Sequence, residues 1–491
     1  MFYGVYGLAN APRLCFKKVV TFFEMMKSLF SLFAIAFLSA ALAPAAETPN
    51  VILIYADDQG YQDLGCYGSP NIKTPHIDGL ASDGMRFTSF YSAYCVCSAS
   101  RAALMTGCYQ PRISIPGVLG PRGSVGLHPD EVTIADLLKT KGYATMAIGK
   151  WHLGDRPEVL PTAQGFDHYF GLPYSNDMAR IKGWGNNTAD LDKIWKLKKW
   201  DIYNNHLYGD AERIEGPVNQ VTLTDRCTEK AVQFIETNSK KPFFLYMPHS
   251  MPHVPLFVSD ERYNADPKQA YKLTIEHIDW SVGQILKALD RLKLTKDTIV
   301  IYSSDNGPWL SKAHHGGSAL PLRSGKGTTY DGGMRVPGIV RWPGHVPAGT
   351  VTDTVASTID ILPTIAEITG AKLPDHPIDG VSVLGTLRDA EVPSPRASSG
   401  FFYYRNNRIE AVRLGKWKLR MGNARGKKNK KGKSGPAPDP KVELYDLNAD
   451  IAESVDLAAK NSEVVAKLRK MAEEYDANLK ANVRPVWRAG S

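Results

Sequence analysis

Four segments of this chain, 51–56, 143–149, 242–247 and 298–304, are apolar or nearly so from end to end. A strand with one wet face alternates apolar and polar side chains. Unbroken runs of this length therefore predict strands covered on both faces, as in a parallel sheet. Between them the spacing turns helical. Ile134, Leu137 and Leu138 share a face within 131–141, residues 229–238 follow the same period, and Leu273, Ile275, Ile278, Val282, Ile285, Leu286 and Leu289 do so within 265–294. Residues 71–93 read as a loop, a short helix and a strand. They lead into a helix from Cys97, with Ser98 or Ser100 as its cap. A further helix is expected from Ala356 to Gly370. From about 386 the pattern changes to short strands, 401–404, 410–413, 417–420 and 442–447, closed by a helix over 462–480. The chain thus predicts an α/β domain over 47–385 and a smaller C-terminal α+β domain over 386–491.

The polar residues that interrupt this pattern gather at strand ends, where ligands bind in open α/β sheets. Asp57-Asp58 follows the first strand, Lys150-Trp151-His152 the second, and Asp305-Asn306 the fourth. Adjacent buried carboxylates repel unless a cation or solvent offsets them. Asp57-Asp58 alone fits a solvated turn as well as a metal site. Together, Asp57, Asp58, Asp305 and Asn306 form an all-oxygen set that suits Ca²⁺ or Mg²⁺ better than zinc. His249 and His253 stand four apart, but Pro248, Pro252 and Pro255 exclude a helix that would align them. Gly325-Lys326-Gly327-Thr328-Thr329 lacks the spacing of a phosphate loop, with Pro321 and Gly327 in the wrong places.

Cys97, alone, is either a buried structural thiol or a nucleophile at a helix N-terminus with Arg101 one turn on. The whole string Cys97-Ser98-Ala99-Ser100-Arg101-Ala102-Ala103-Leu104-Met105-Thr106-Gly107 resembles the signature of the formylglycine-dependent sulfatases of the arylsulfatase A type. Its third position, Ala99, is the less common form. Cys95 is out of register, because position 99 would have to be Arg. Gly149-Lys150-Trp151-His152-Leu153-Gly154 resembles the family's second signature, and Gly325-Lys326-Gly327-Thr328-Thr329-Tyr330 a third segment.

The resemblance, spanning nearly all of 50–480, implies the alkaline phosphatase-like fold: a large mixed, mostly parallel sheet between helices, with a smaller C-terminal antiparallel sheet. It implies a formylglycine (3-oxoalanine) made from Cys97 by a maturation enzyme, and one Ca²⁺ or Mg²⁺ held by Asp57, Asp58, Asp305 and Asn306 beside residue 97. It places Arg101, Lys150 and His152 at the formylglycine hydrate, and Lys150, Ser175, His253 and Lys326 on the sulfate. His253 or Lys326 would protonate the leaving alcohol. His249 is a weaker candidate. The activity implied is hydrolysis of sulfate esters, of carbohydrates or aryl alcohols. The alternatives are a phosphodiesterase or phosphonate hydrolase on the same scaffold, and a sulfated-glycan-binding protein that never converts Cys97. The polar, tryptophan-bearing region 178–225 either shapes the substrate mouth or folds against the main domain.

Composition adds location. Met26-Lys27, an apolar run and small residues to Ala46 read as a signal peptide at about 26–46 within a leader 1–46. Periplasmic or secreted protein is expected, with no stable membrane span after cleavage. The formal charge of the 491-residue chain is +9. It falls to +6 once the leader's Arg13, Lys17, Lys18, Lys27 and Glu24 are set aside. That suits an anionic substrate and is too weak, without a motif, to argue nucleic acid. The lysine-rich run 424–440 reads as a solvated loop. Five cysteines follow the leader, an odd number, and converting Cys97 would leave four able to pair.

Overall fold

A computed structural model describes residues 48–422 and 442–490. The leader 1–46 and the basic run 424–440 lie outside the described residues. The main sheet has ten strands: β1 (Asn50–Ala56), β2 (Met85–Phe87), β3 (Ala144–Lys150), β4 (His168–Leu172), β5 (Leu207–Gly209), β6 (Glu212–Glu215), β7 (Phe243–Pro248), β8 (Thr298–Ser304), β9 (Gly338–Arg341) and β10 (Thr350–Thr352). Their order is β10-β2-β9-β8-β1-β7-β3-β4-β5-β6. The five central strands, β8 to β4, run parallel; antiparallel pairings extend both sides, and the outermost pair, β10 with β2, is parallel again. The four apolar runs are four of those five.

The reason is visible in β1. It pairs with Thr298–Ser304 on one edge and with β7 on the other, and all seven of its residues are buried. Successive side chains of a strand point to opposite faces. Val51, Leu53 and Tyr55 accordingly enter one hydrophobic core, while Ile52 and Ile54 enter the other. Burying each such side chain stabilises by about 1.5–3 kcal/mol.

The second sheet is a four-stranded antiparallel meander of β11 (Phe401–Arg405), β12 (Arg408–Leu414), β13 (Trp417–Met421) and β14 (Val442–Asp446). The helix Ser462–Ala481 lies against β12 and β13. Phe401, Tyr403, Leu444 and Leu468 share a core with Val51 and Leu53.

Several local expectations change. The helix Cys97–Thr106 starts where expected, but neither serine caps it; its cap residue is Val96, in extended conformation. The Gly117 carbonyl accepts the Ala99 N–H at 2.9 Å, and the Ser98 hydroxyl instead receives the Leu119 N–H at 3.0 Å. A loop that crosses the helix start thus takes over the capping. The helix expected from Ala356 forms only over Ile361–Thr369, after a short strand, Ala356–Ser357, that pairs with Phe90–Tyr91. The change near 386 comes later, since 384–388 and 396–399 are short helices. The two long helices run Leu223–Thr237 and Ala270–Arg291. All five cysteines of the described residues are free thiols, so the four besides Cys97 do not pair.

Candidate active site

The C-terminal ends of the central strands meet at one buried place. β1 delivers Asp57 and Asp58, β8 delivers Asp305 and Asn306, β3 ends in Lys150 and leads to His152, β4 leads to Ser175, and β7 leads to His253. The helix Cys97–Thr106 brings Cys97 and Arg101, and a loop brings Lys326. Gly149 makes the approach possible. Its φ is +124°, and a Cβ there would lie 2.0 Å from the Pro248 carbonyl oxygen of the next strand.

Charged groups hold one another in place. Arg101 donates to Asp305 Oδ2 from Nε at 3.0 Å and from a terminal nitrogen at 2.8 Å, and to the Lys150 carbonyl at 2.9 Å. Lys150 Nζ bonds Asp57 Oδ2 and lies 3.2 Å from Ser175 Oγ. Lys326 Nζ donates to Asp58 Oδ2 at 2.7 Å and lies 3.5 Å from Cys97 Sγ. His253 Nε2 is 3.6 Å from Asp58 Oδ2. Asn306 Nδ2 donates to Asp58 Oδ1 at 2.7 Å. Asp58 and His152, with φ of 63° and 64°, occupy the left-handed region that few non-glycine residues adopt.

Three carboxylates thus face three cations, and burial sharpens each interaction. Burial raises the Asp57 pKa, but Lys150, His253, Arg101 and Lys326 outweigh it and hold it well below the usual range. Burial and the Asp57 charge push Asp305 up to about 7. Burial, with Lys150 and Arg101, depresses His152; burial, with Lys326, depresses His253. Burial also pushes the Cys97 thiol up to about 12, despite Lys150 and Lys326. Burial thus outweighs the helix terminus and the two lysines at the thiol.

The sulfatase family model matches residues 49–371, and the model described as "N-sulphoglucosamine sulphohydrolase, C-terminal" matches 325–478. The chain belongs to the sulfatase family. The sulfatase is 34% identical to human arylsulfatase A over 478 residues, which cover 88% of this chain and 89% of that one. It is 36% identical to mouse N-acetylgalactosamine-6-sulfatase, covering 79% and 75%. The solved complex of Ps i-CgsB with k-i-k-neocarrahexaose superposes with a TM-score of 0.72 at 31% identity, covering 88% of this chain and 93% of that one. The sulfatase is a sulfuric ester hydrolase on these grounds.

The oxygen-rich corner of the sulfatase fits a hard cation. Asp57 Oδ1 and Asn306 Oδ1 are buried and have no hydrogen-bond partner, a state that normally costs about 1–3 kcal/mol per group. Asp57 and Asp305 carboxylate oxygens and Cys97 Sγ lie within 4.8 Å of one another, as do the ligand atoms of Asp58, Cys97 and His253. A divalent cation there would turn a balanced cluster into one with net positive charge. His249 stands apart from this corner. It is buried, its Nε2 has no partner, and burial together with His277 depresses its pKa to about 3.

Some partners were not foreseen. The Leu119 carbonyl lies 2.9 Å from His152 Nε2. Asn176 Nδ2 donates to the carbonyls of His253 at 3.3 Å and Pro255 at 2.9 Å, fixing the histidine loop. The Trp309 ring lies 5.4 Å from the His253 ring and 4.5 Å from Lys326 Nζ. Backbone carbonyls carry no sequence signal, whereas Trp309 stood three residues after Asn306. Of the tryptophans in 178–225, Trp195 is buried, and Trp184 and Trp200 pack on the core. The same region instead lends Asn205, His206, Tyr208 and Arg213 to a cavity of about 310 Å³ that also takes in Arg122 and Tyr174. Tyr174 stands edge-on to His152, with ring centroids 5.8 Å apart.

Proposed function

We propose that this sulfatase is an exported enzyme, periplasmic or secreted, that hydrolyses sulfate esters of carbohydrates through a formylglycine made from Cys97 by a maturation enzyme. The observation that carries this reading is the meeting of Cys97 with Lys326, Asp58 and the unpartnered oxygens of Asp57 and Asn306. The thiol's raised pKa adds support, since an unmodified cysteine would be a poor nucleophile here. The carbohydrate class is supported by the adjoining cavity, whose Tyr174, Tyr208, Arg122 and Arg213 offer aromatic faces and cations to an anionic sugar.

A bound Ca²⁺ or Mg²⁺, held by Asp57, Asp58, Asp305 and Asn306 next to residue 97, would supply Lewis-acid stabilisation of developing negative charge. Arg101 is locked to Asp305, and Lys150 to Asp57 and Ser175, so their charges are aimed before the substrate arrives. A formylglycine at 97 would hydrate to a geminal diol, one hydroxyl of which, after losing its proton to solvent, would attack sulfur in line as the S–O bond to the alcohol breaks. The leaving oxygen takes its proton from Lys326, or from His253 once the anionic substrate favours its charged form. Loss of a proton from the second hydroxyl then expels sulfate and restores the aldehyde.

We assign that last proton to His152. The Leu119 carbonyl only accepts, so Nε2 carries the hydrogen and Nδ1 is left bare. Nδ1 is buried without a partner, and the depressed pKa keeps the ring neutral at pH 7.

The test is the mass of the peptide spanning 87–101, from protein made in its native host, together with paired assays on aryl sulfate and aryl phosphate esters. A thiol-to-aldehyde mass loss at Cys97 with turnover of the sulfate is expected. An intact thiol in a host that matures other sulfatases would overturn the mechanism in favour of a binding protein. Faster turnover of the phosphate would move the assignment to phosphoryl chemistry.

A further inference from the structure

A second group of potential ligands lies outside the catalytic corner. Asp192, on the helix Thr188–Leu197, faces His314 and His315, which end the turn Leu310–His315. The Nε2 atoms of His314 and His315 stand 2.7 and 2.9 Å from Asp192 Oδ1. One ligand atom from each of the three residues lies within 4.8 Å of the others. Consecutive residues usually send side chains apart. Here Ala313, at φ 52° and ψ −124°, kinks the turn, and the two imidazole centroids lie 4.5 Å apart on one side. A non-glycine residue in that region is strained and persists where its surroundings demand it.

From this geometry we infer that Asp192, His314 and His315 form a second metal site, selective for Zn²⁺ or a similar transition ion, which clips the helix Thr188–Leu197 to the turn Leu310–His315. Two imidazoles and one carboxylate make the donor set that zinc favours, with a fourth position open, and are a poor set for Ca²⁺. Ligand atoms about 2.0–2.1 Å from a tetrahedral ion stand roughly 3.3 Å apart, so the two Asp192–histidine spacings need to open by only about 0.4–0.6 Å. His315 is 1% exposed, and its Nδ1 has no partner. Asp192 and His314 have side chains 31% and 28% exposed, which gives an ion a way in. Lys312 spans the same gap, donating to the Asn186 carbonyl at 2.6 Å.

The clip has a place in the working of the enzyme. Trp309, beside His253 and Lys326, immediately precedes the ligand-bearing turn. Fastening that turn to the helix would fix the wall of the catalytic corner that Trp309 forms.

The experiment is a Zn²⁺ titration of the full-length enzyme in excess Ca²⁺, in competition with a chromogenic chelator, repeated on His314→Gln, Asp192→Asn and Cys97→Ala. The expected result is one Zn²⁺ equivalent that survives Cys97→Ala and weakens in both other variants by at least the roughly 10–100-fold that loss of an outer-shell partner costs. Substituted Co²⁺ should show visible bands that vanish in His314→Gln. His314→Gln, at a part-exposed position, keeps the test valid if Asp192→Asn fails to fold. Zinc uptake unchanged in His314→Gln, or lost with Cys97→Ala, would overturn the site. The readout does not depend on sulfate ester turnover, so it fails separately from the catalytic proposal.

Discussion

At the end of the main sheet, Asp57 and Asn306 each keep a buried oxygen without a partner. Under the C-terminal sheet, Asp331 is equally buried and has both oxygens occupied. Oδ1 accepts from Lys418 at 2.7 Å and Tyr403 at 3.1 Å; Oδ2 accepts from Tyr91 at 2.8 Å and Arg335 at 3.4 Å. Glu453 completes this second network, taking the Asp331 N–H at 2.6 Å, with Lys418 Nζ 2.8 Å away. Burial raises the Asp331 pKa, but Lys418, Arg335 and Arg413 outweigh it and hold it low. Both places are buried clusters of acids and bases. The closed one joins two sheets; the open one has donors and acceptors left for something else. At the functional cluster the unpartnered oxygens belong to a carboxylate and an amide that face the same corner as residue 97, whereas Glu453 Oε1, also without a hydrogen bond, is met by the Lys418 charge.

The sharpest way to separate the two is to remove residue 97. Cys97→Ala should lower kcat by at least ~10⁴-fold, as loss of a covalent nucleophile does, and leave the melting midpoint unchanged. Parallel turnover and thermal scans read both. The converse change is Lys418→Met, which strands Asp331 and Glu453 as buried carboxylates. It should cost about 3–5 kcal/mol in denaturant unfolding, while turnover per folded molecule holds. A similar stability cost from Cys97→Ala would erase the distinction.

Of these two clusters, chelation probes only the open one. Stripping a divalent ion should abolish sulfate ester hydrolysis reversibly and lower stability by about 2.7 kcal/mol relative to a Ca²⁺ concentration of 100 times Kd. Lys418→Met should keep the same Ca²⁺ increment. The smallest effect per step, spread over several pH units, concerns His249, buried outside both clusters. Its folded pKa of about 3 lies below the unfolded value of about 6.5, so its contribution is present above pH 6.5 and is lost as the pH falls to 3. His249→Phe should flatten the stability profile in that window by about 1.4 kcal/mol per pH unit, measured by urea titration at each pH.

The central strands were legible because burial on both faces removes the alternation that a wet face imposes. Of the outer strands, Met85–Phe87 fell within the segment 71–93 that reads as helix and strand, but others did not show: Glu212–Glu215 is a polar, largely exposed edge, and Thr350–Thr352 is only three residues long. The candidate site residues gather because strand ends gather them; the residues that hold them were hidden. Asn176 and the Leu119 carbonyl act through backbone contacts made by loops. Ser98 looked like a cap because a serine beside a helix start usually is one, and here the Leu119 N–H claims it. Asp331 and Lys418 are 87 residues apart, and no local pattern announces such a pair.

Strand β1 has one more consequence. Its alternate side chains are set into two cores, and one of those cores continues through Phe401 and Leu444 into the second sheet. Neither half of the interior can come apart without pulling on the same seven residues. Opening should therefore spread through the described fold as a single event, and calorimetry should find one endotherm where two sheets might have suggested two. Cooperativity of that kind makes the catalytic corner, at the strand's own end, among the last places to loosen.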